Sequence, residues 1–345
     1  FDNGDILFQY FANVTIWDTT IGIQDTTKNY GLAYDCANGM GNPLPAGTAV
    51  LFETPTIIVN TFEDQLDSPA GPEISLREAV RDIPAGGKIV LDPDDAEMEV
   101  LDSFGAIVVD KPLALDGSRF QDAPTRPVIL GSRIAGPVLR FEDAEGVTIR
   151  DVLFRDGGGP SPFSGVVEWD DNDSARDYLS LCSVDFLNNT NGRALLASDD
   201  WWISMYRCRF RDNAGNSAFV TSGTGERWLG IRESEFAFNR ASSSFLGDSN
   251  ENGGAIEAIG ATIDIQSSSF FDNSADRNGG AIYAQDCTLD IRYSTFSRNR
   301  SSSVGSAVYF RQSTAASPVN RMERNTFVDH PGSAIAYANS TAQRP

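Results

Sequence analysis

Three stretches of this chain carry side chains at spacings that could support chemistry. EWDDNDSARD gathers Asp170, Asp171 and Asp173, and Asp199-Asp200 stands directly before Trp201-Trp202. Neighbouring carboxylates can share a proton, act as acid and base, or hold a cation. An adjacent indole offers a face for a sugar ring, and alternation along a strand turns one of Trp201 and Trp202 outward. The third stretch, Asp248-Ser-Asn250-Glu-Asn252-Gly, has the first half of an oxygen-rich calcium loop. An EF-type loop needs a bidentate Glu at its twelfth position, where this chain has Ile259. Calcium is therefore the one cofactor these clusters suggest, held at Asp248, Asn250 and Asn252 or at Asp170, Asp171 and Asp173. Solvated turn carboxylates are the competing reading.

Other chemistries are excluded by what is missing. His330 is the only histidine, so neither a Ser-His-Asp triad nor a histidine zinc site can be assembled. Lysine occurs at positions 28, 88 and 111 and nowhere later, which removes a lysine base from most of the chain. A net charge of −21 over 345 residues repels phosphate backbones and anionic lipid, so nucleic acid is not an expected partner. Apolar runs are too short to span a bilayer, and residues 1–5 do not read as a signal peptide. Four cysteines without C-x-x-C spacing argue against a metal or disulfide framework. Cys182 and Cys208 fall on adjacent repeats at different registers, roughly 8 Å apart, so free buried thiols are expected.

The elements that must position these groups come from a repeat. Phe154, Phe186, Phe210, Phe236, Phe270, Phe296 and Phe327 recur at spacings of 32, 24, 26, 34, 26 and 31 residues. Seven and five residues before each of the first six stands an apolar pair, from Val147/Ile149 to Leu289/Ile291, the two-residue period of a strand with one buried face. Three residues after come Asn189, Asn213, Asn239, Asn273 and Asn299, with Gly157 and His330 at the ends. Asn tolerates left-handed backbone and can bond its counterpart one coil away, so a stacked ladder at a turn is expected. GGAIEA at 253–258, GGAIYA at 279–284, GSAVYF at 305–310 and GSAIAY at 332–337 mark a second, tight turn. Such repeats cannot bury their faces singly and must stack. The resulting fold class is all-β, a right-handed parallel β-helix, since propeller blades are longer than these repeats.

FxxN beside GGAI resembles the paired signature of the chlamydial polymorphic outer-membrane proteins, β-helical surface adhesins, over about residues 145–340. ISLREAV at 74–80 resembles the CSLREA motif that opens β-helices in secreted bacterial proteins, with Ile74 in place of the motif's Cys; it predicts a capping helix near 74–82. The strand-like segments of residues 1–55 resemble the last strands of a jelly-roll module and predict a short antiparallel β segment, the end of a preceding module in a longer protein or else a complete N-terminal cap. Residues 56–345 are assigned to the β-helix. Asp199-Asp200 is similar to the double Asp of the polygalacturonases, although that family's His-Gly and Arg-x-Lys elements are absent.

These resemblances imply a secreted or cell-surface, adhesin-like rod. Its partners would be a host-surface, matrix or polysaccharide ligand, with self-association an option and no direct membrane insertion. A polysaccharide lyase or glycoside hydrolase using Asp199 and Asp200 is the alternative.

Overall fold

The computed structural model describes residues 55–339 apart from 69–70, 92–96, 118–125, 133, 145, 158–164, 171–176, 199, 216, 223–226, 243–250 and 314–319. The antiparallel segment expected over residues 1–55 therefore lies almost wholly outside the described residues. From Thr56 onward the chain winds as a parallel β-helix. Among the described residues, a first sheet of ten strands runs from Thr56–Val59 to Arg321–Glu323, a sheet of nine strands carries the phenylalanines, and a third of thirteen strands begins at Ile107–Val109. Every described pair is parallel, for example Leu179 beside Ile203 and Phe186 beside Phe210.

The apolar pairs face inward in register, Val147–Leu179–Ile203–Leu229–Ile263–Leu289 forming one column and Ile149–Leu181–Met205–Ile231–Ile265–Ile291 the next. The seven phenylalanines form a third column. Their rings stack with centroids 4.6 to 5.2 Å apart and planes within 16° of parallel. Isolated rings prefer offset or edge-on contact. Here the interstrand spacing imposes the stack, because equivalent residues in parallel strands must lie about 4.8 Å apart. Met98 and Ile129 continue the column beyond Phe154 with aliphatic side chains.

The asparagines form the expected ladder. Each Nδ2 donates to the next Oδ1, Asn189 to Asn213 at 2.8 Å, Asn213 to Asn239 at 2.8 Å, Asn239 to Asn273 at 2.9 Å and Asn273 to Asn299 at 3.0 Å. Each also donates to a phenylalanine carbonyl of the preceding coil, as Asn239 does to Phe210 at 2.9 Å. The same Oδ1 accepts a backbone N–H, so a buried amide is satisfied on all sides. Gly157 N–H donates to Asn189 at one end, and the His330 ring sits against the Asn299 and Phe296 carbonyls at the other.

The left-handed residue is not the asparagine but the one before it: Asp156, Asn188, Asp212, Phe238, Asp272, Arg298 and Asp329 all have φ between 51° and 56°. A second set three residues before each Phe, Asp151, Ser183, Arg207, Glu233, Ser267, Tyr293 and Arg324, has φ between 48° and 55°. Two left-handed positions frame every Phe strand, and with Gly at none of them the strain is held by the packing on either side. The Asn is required for its amide.

A second polar ladder stands at the preceding turn. Cys208, Ser234 and Ser268 donate their N–H groups to the hydroxyls of Ser234, Ser268 and Ser294 at 3.1, 3.2 and 3.2 Å, and Ser294 N–H donates to Asn325 Oδ1 at 2.9 Å. At the glycine turns the first residue has positive φ, 59° at Gly253 and 66° at Gly279. The second is hemmed in by the next coil, since a Cβ on Gly254 would lie 2.4 Å from the Gly280 carbonyl oxygen.

A helix, α1 (Leu76–Asp82), lies against the first coils. The Ser75 hydroxyl accepts from Glu78 N–H and the Glu78 carboxylate accepts from Ser75 N–H, a reciprocal capping box. Leu76, Ala79 and Val80 are buried against the first coils, while Arg77 clasps Asp64 with two bonds of 2.8 and 2.9 Å.

Replacing Phe270 by Ala is expected to cost about 3–5 kcal/mol, measured by urea unfolding, and the same change at half-buried Phe327 distinctly less. Asn239→Ala strips the acceptor from two Asn213 donors and leaves the Phe210 carbonyl without its donor. At about 1–3 kcal/mol per orphaned group its expected cost is about 3 kcal/mol or more, and a loss below about 1 kcal/mol would show that the ladder is ornamental.

Candidate functional face

Outside the core, the first sheet presents three columns set by the same register. Eight residues before each Phe stand Tyr178, Trp202 and Trp228, followed by Thr262 and Thr288. Six before stand Ser180, Ser204, Gly230, Asp264 and Asp290, and four before stand Cys182, Tyr206, Arg232, Gln266 and Arg292.

Alternation resolves the tryptophan pair. Trp201 is 1% exposed and packs edge-on to Phe219 at 6.0 Å, so it is core and offers no surface to a sugar. Trp202 is half-buried on the outer face, 5.9 Å from Trp228 and 5.9 Å from Tyr178 by ring centroids. Trp228 bends over Gly230, where a Cβ would come within 2.1 Å of the ring. Only glycine lets the indole lie down on the sheet. Trp228, which makes the strip, has no carboxylate pair or second indole beside it in the chain to mark it, yet it stands at the same distance from its Phe as Trp202 does from Phe210.

Beside the strip lies an ion-pair network. Asp264 takes Arg292 Nη2 at 3.1 Å and Arg232 Nη2 at 3.5 Å, and Arg292 Nε lies 3.2 Å from Asp290. Two guanidiniums against two carboxylates leave this part of the face close to neutral within an acidic chain. All four side chains are partly buried and held by at least one partner, which limits their rotamer freedom.

The carboxylates singled out in the sequence are not brought together among the described residues. Asp199, Asp171, Asp173, Asp248 and Asn250 lie outside them. Asp170 ends the strand Gly165–Asp170 beside Glu142 and Ser198, with its side chain not described. Asp200 is half-buried, with Oδ1 lacking a hydrogen-bond partner. Asn252 Oδ1 already accepts two bonds from Asn278, at 3.2 Å from N–H and 3.0 Å from Nδ2, so it serves as a further amide rung. Among the described residues no group of three or more His, Cys, Asp or Glu is placed to hold a metal ion.

The cysteines divide by register. Cys208 and Cys287 are buried free thiols, as expected. Cys182 is disulfide-bonded, contrary to the expectation of a free thiol. Four residues before Phe186 it faces outward from the first sheet, whereas Cys208, two before Phe210, turns into the ladder and bonds the Leu181 carbonyl at 3.3 Å.

Fold and face together define a parallel β-helix repeat protein. A protein-family model, the Chlamydia polymorphic membrane protein (Chlamydia_PMP) repeat, matches residues 267–285, a stretch that contains Phe270, Asn273 and the turn at Gly279. No curated protein matches the chain. Among the described residues no helix is long and apolar enough to cross a membrane.

Burial pushes the Cys208 thiol up to about 12 and the Cys287 thiol up to about 11, against about 9 for an exposed thiol. The neutral thiols therefore contribute stability that is complete below about pH 9 and is lost as pH rises towards 11 and 12. Ellman's reagent at about pH 8 should label neither thiol in the native protein and both in urea, with the urea midpoint falling above pH 9. Rapid labelling of the native protein would contradict this burial.

Proposed function

We propose that the protein is a rod of the bacterial cell surface, secreted or displayed, that binds a glycan-bearing ligand along the outer face of its first sheet. The observation that carries this reading is the half-buried Trp202–Trp228 pair laid beside the Arg232–Asp264–Arg292–Asp290 network. Indole faces stack on the apolar faces of sugar rings, and fixed carboxylate and guanidinium groups bond hydroxyls. The balanced local charge favours a neutral, hydroxyl-rich chain over an acidic one. The match of residues 267–285 to a repeat of the Chlamydia polymorphic membrane proteins supports a surface location, as does the disulfide at Cys182, since such bonds persist in oxidising compartments. A stack of ladders along one axis supports a role in holding a binding face away from its anchor.

A panel of immobilised neutral polysaccharides and extracellular matrix, probed with the whole protein, tests the reading. Saturable binding is expected, weakened about tenfold or more by Trp228→Ala with the unfolding midpoint nearly unchanged. Equal binding by the variant would remove the aromatic strip from the interface. New reducing or unsaturated ends in the panel would instead support the polysaccharide lyase or hydrolase reading.

A further inference from the structure

The nine-stranded sheet turns its phenylalanines inward, and a sheet face left to water is expected to alternate to polar residues. Its outward positions, one residue before and one after the inward column, hold apolar side chains in two groups. Val128, Leu130, Leu153 and Leu187 lie in the second to fourth strands, all half-buried, and half-buried Phe271 lies in the seventh. Phe238, in the turn after the sixth strand, joins Phe271. Its place in the left-handed series is held in other coils by Asp, Asn or Arg, yet here a phenylalanine 40% exposed occupies it with φ 56°. A bulky apolar side chain at positive φ is strained, and such outliers collect where function uses them. The ring is also held in place. Phe271 meets it edge-on at 5.5 Å, and the Arg211 guanidinium lies 5.1 Å from its centroid. An exposed aromatic ordered in advance beside an arginine has the make-up of an interface anchor.

Charge identifies the partner and its direction. Among the described residues, positions 56–200 carry 20 Asp and Glu against 9 Lys and Arg, whereas positions 201–339 carry 12 against 13. The rod has an acidic half and a neutral half. The strand Arg209–Arg211, fifth of the nine, stands between the two apolar groups. A second copy turned end over end about an axis along this strand lays Phe238 and Phe271 of each copy over Leu187 and Leu153 of the other, and sets each acidic half against a neutral one. Parallel pairing would set acidic half against acidic half. We propose that two copies of the chain pair side by side and antiparallel through the outer face of the nine-stranded sheet, with the two-fold axis near Arg209–Arg211. Nine strands about 4.8 Å apart make this face about 38 Å long, and the six residues from one left-handed position to the next make it about 20 Å wide. The footprint, about 800 Å² per copy, is what a stable interface of ordinary size covers on each partner. The Trp202–Trp228 strip lies on the first sheet, so this pairing is independent of what that strip binds.

Sedimentation velocity of the whole protein over a micromolar concentration series tests the pairing. A dimer is expected, and Phe238→Asp should raise its dissociation constant about tenfold or more while circular dichroism stays unchanged. That substitution is safe for the fold, because Asp212 and Asp272 already hold the same left-handed position in the coils on either side. A monomer throughout the series, or a dimer indifferent to Phe238→Asp, would overturn the proposal. Trp228→Ala should leave the dimer intact, and its loss would move the interface to the first sheet and overturn the proposal as well. Direction is read by a short thiol cross-linker on the double variant Glu99→Cys, Val328→Cys, digested for mass spectrometry. These positions lie in the first and last strands of the sheet, about 38 Å apart within one chain, so a peptide joining 99 to 328 is a link between copies. That link is expected. Links of 99 to 99 or of 328 to 328 would mean parallel pairing and would overturn the antiparallel arrangement.

Discussion

Parallel pairing between successive coils is the constraint on which every other feature depends. Once backbone N–H and C=O groups bond from one coil to the next, each side chain has its own counterpart about 4.8 Å above and below it. Only residues that tolerate their own kind at that distance can occupy the inside of such a stack. Phenylalanine does so by stacking face to face, isoleucine and leucine by nesting, and asparagine by donating to one amide while accepting from another. A charged residue in an inward column would meet a like charge at every coil. The like-on-like rule is also why the two ends are problems of their own. At one end α1 lays Leu76 and Val80 over the first coils. At the other, Met322 and Phe327 are only partly covered and Tyr337 is exposed.

This rule also decides what can be read from the sequence. Inward columns are legible because repetition is their function: the Phe register, the apolar pairs, the Asn series and the glycine turns each recur as one residue type at one spacing, and each lies where that spacing puts it. Residue type alone misleads where a residue has two uses. Asparagine tolerates left-handed backbone, but the left-handed position lies one residue earlier and accepts Asp, Arg and Phe, because its side chain leaves the stack. The serine ladder is harder to see, since only Ser234, Ser268 and Ser294 repeat before the column changes to Cys208 on one side and Asn325 on the other.

Outward columns are a different matter, because nothing forces their members to match. Tyr178, Trp202 and Trp228 give way to threonine, and serine gives way to aspartate, within a few coils. Reading Trp202 through its neighbour in the chain, Trp201, pairs it with a buried ring on the opposite side of the sheet. Its true neighbours are 24 residues back and 26 residues on, at the same offset from Phe. Cys182 and Cys208 make the same point: comparison of their positions along the strands places one outside and the other in a turn ladder, and only the first forms a disulfide.

The division between matched interior and unmatched exterior gives the rod its functional latitude. A substitution inside disturbs the matched columns of two coils at once, the one above and the one below, whereas an outward column has no matched stack to break. Chemistry on such a scaffold is therefore expected to collect where outward columns hold unlike residues side by side on a stiff backing. The indole of Trp228 meets that description: it lies on Gly230, next to Asp264 of the following coil, which is itself pinned by Arg232 and Arg292 from the coils on either side. The strip and the ion network differ from every inward column in this respect, since neither continues to the ends of the sheet. A feature confined to two or three coils has no part in the stacking that holds the whole rod together, and its side chains are free to be chosen for what they contact outside it.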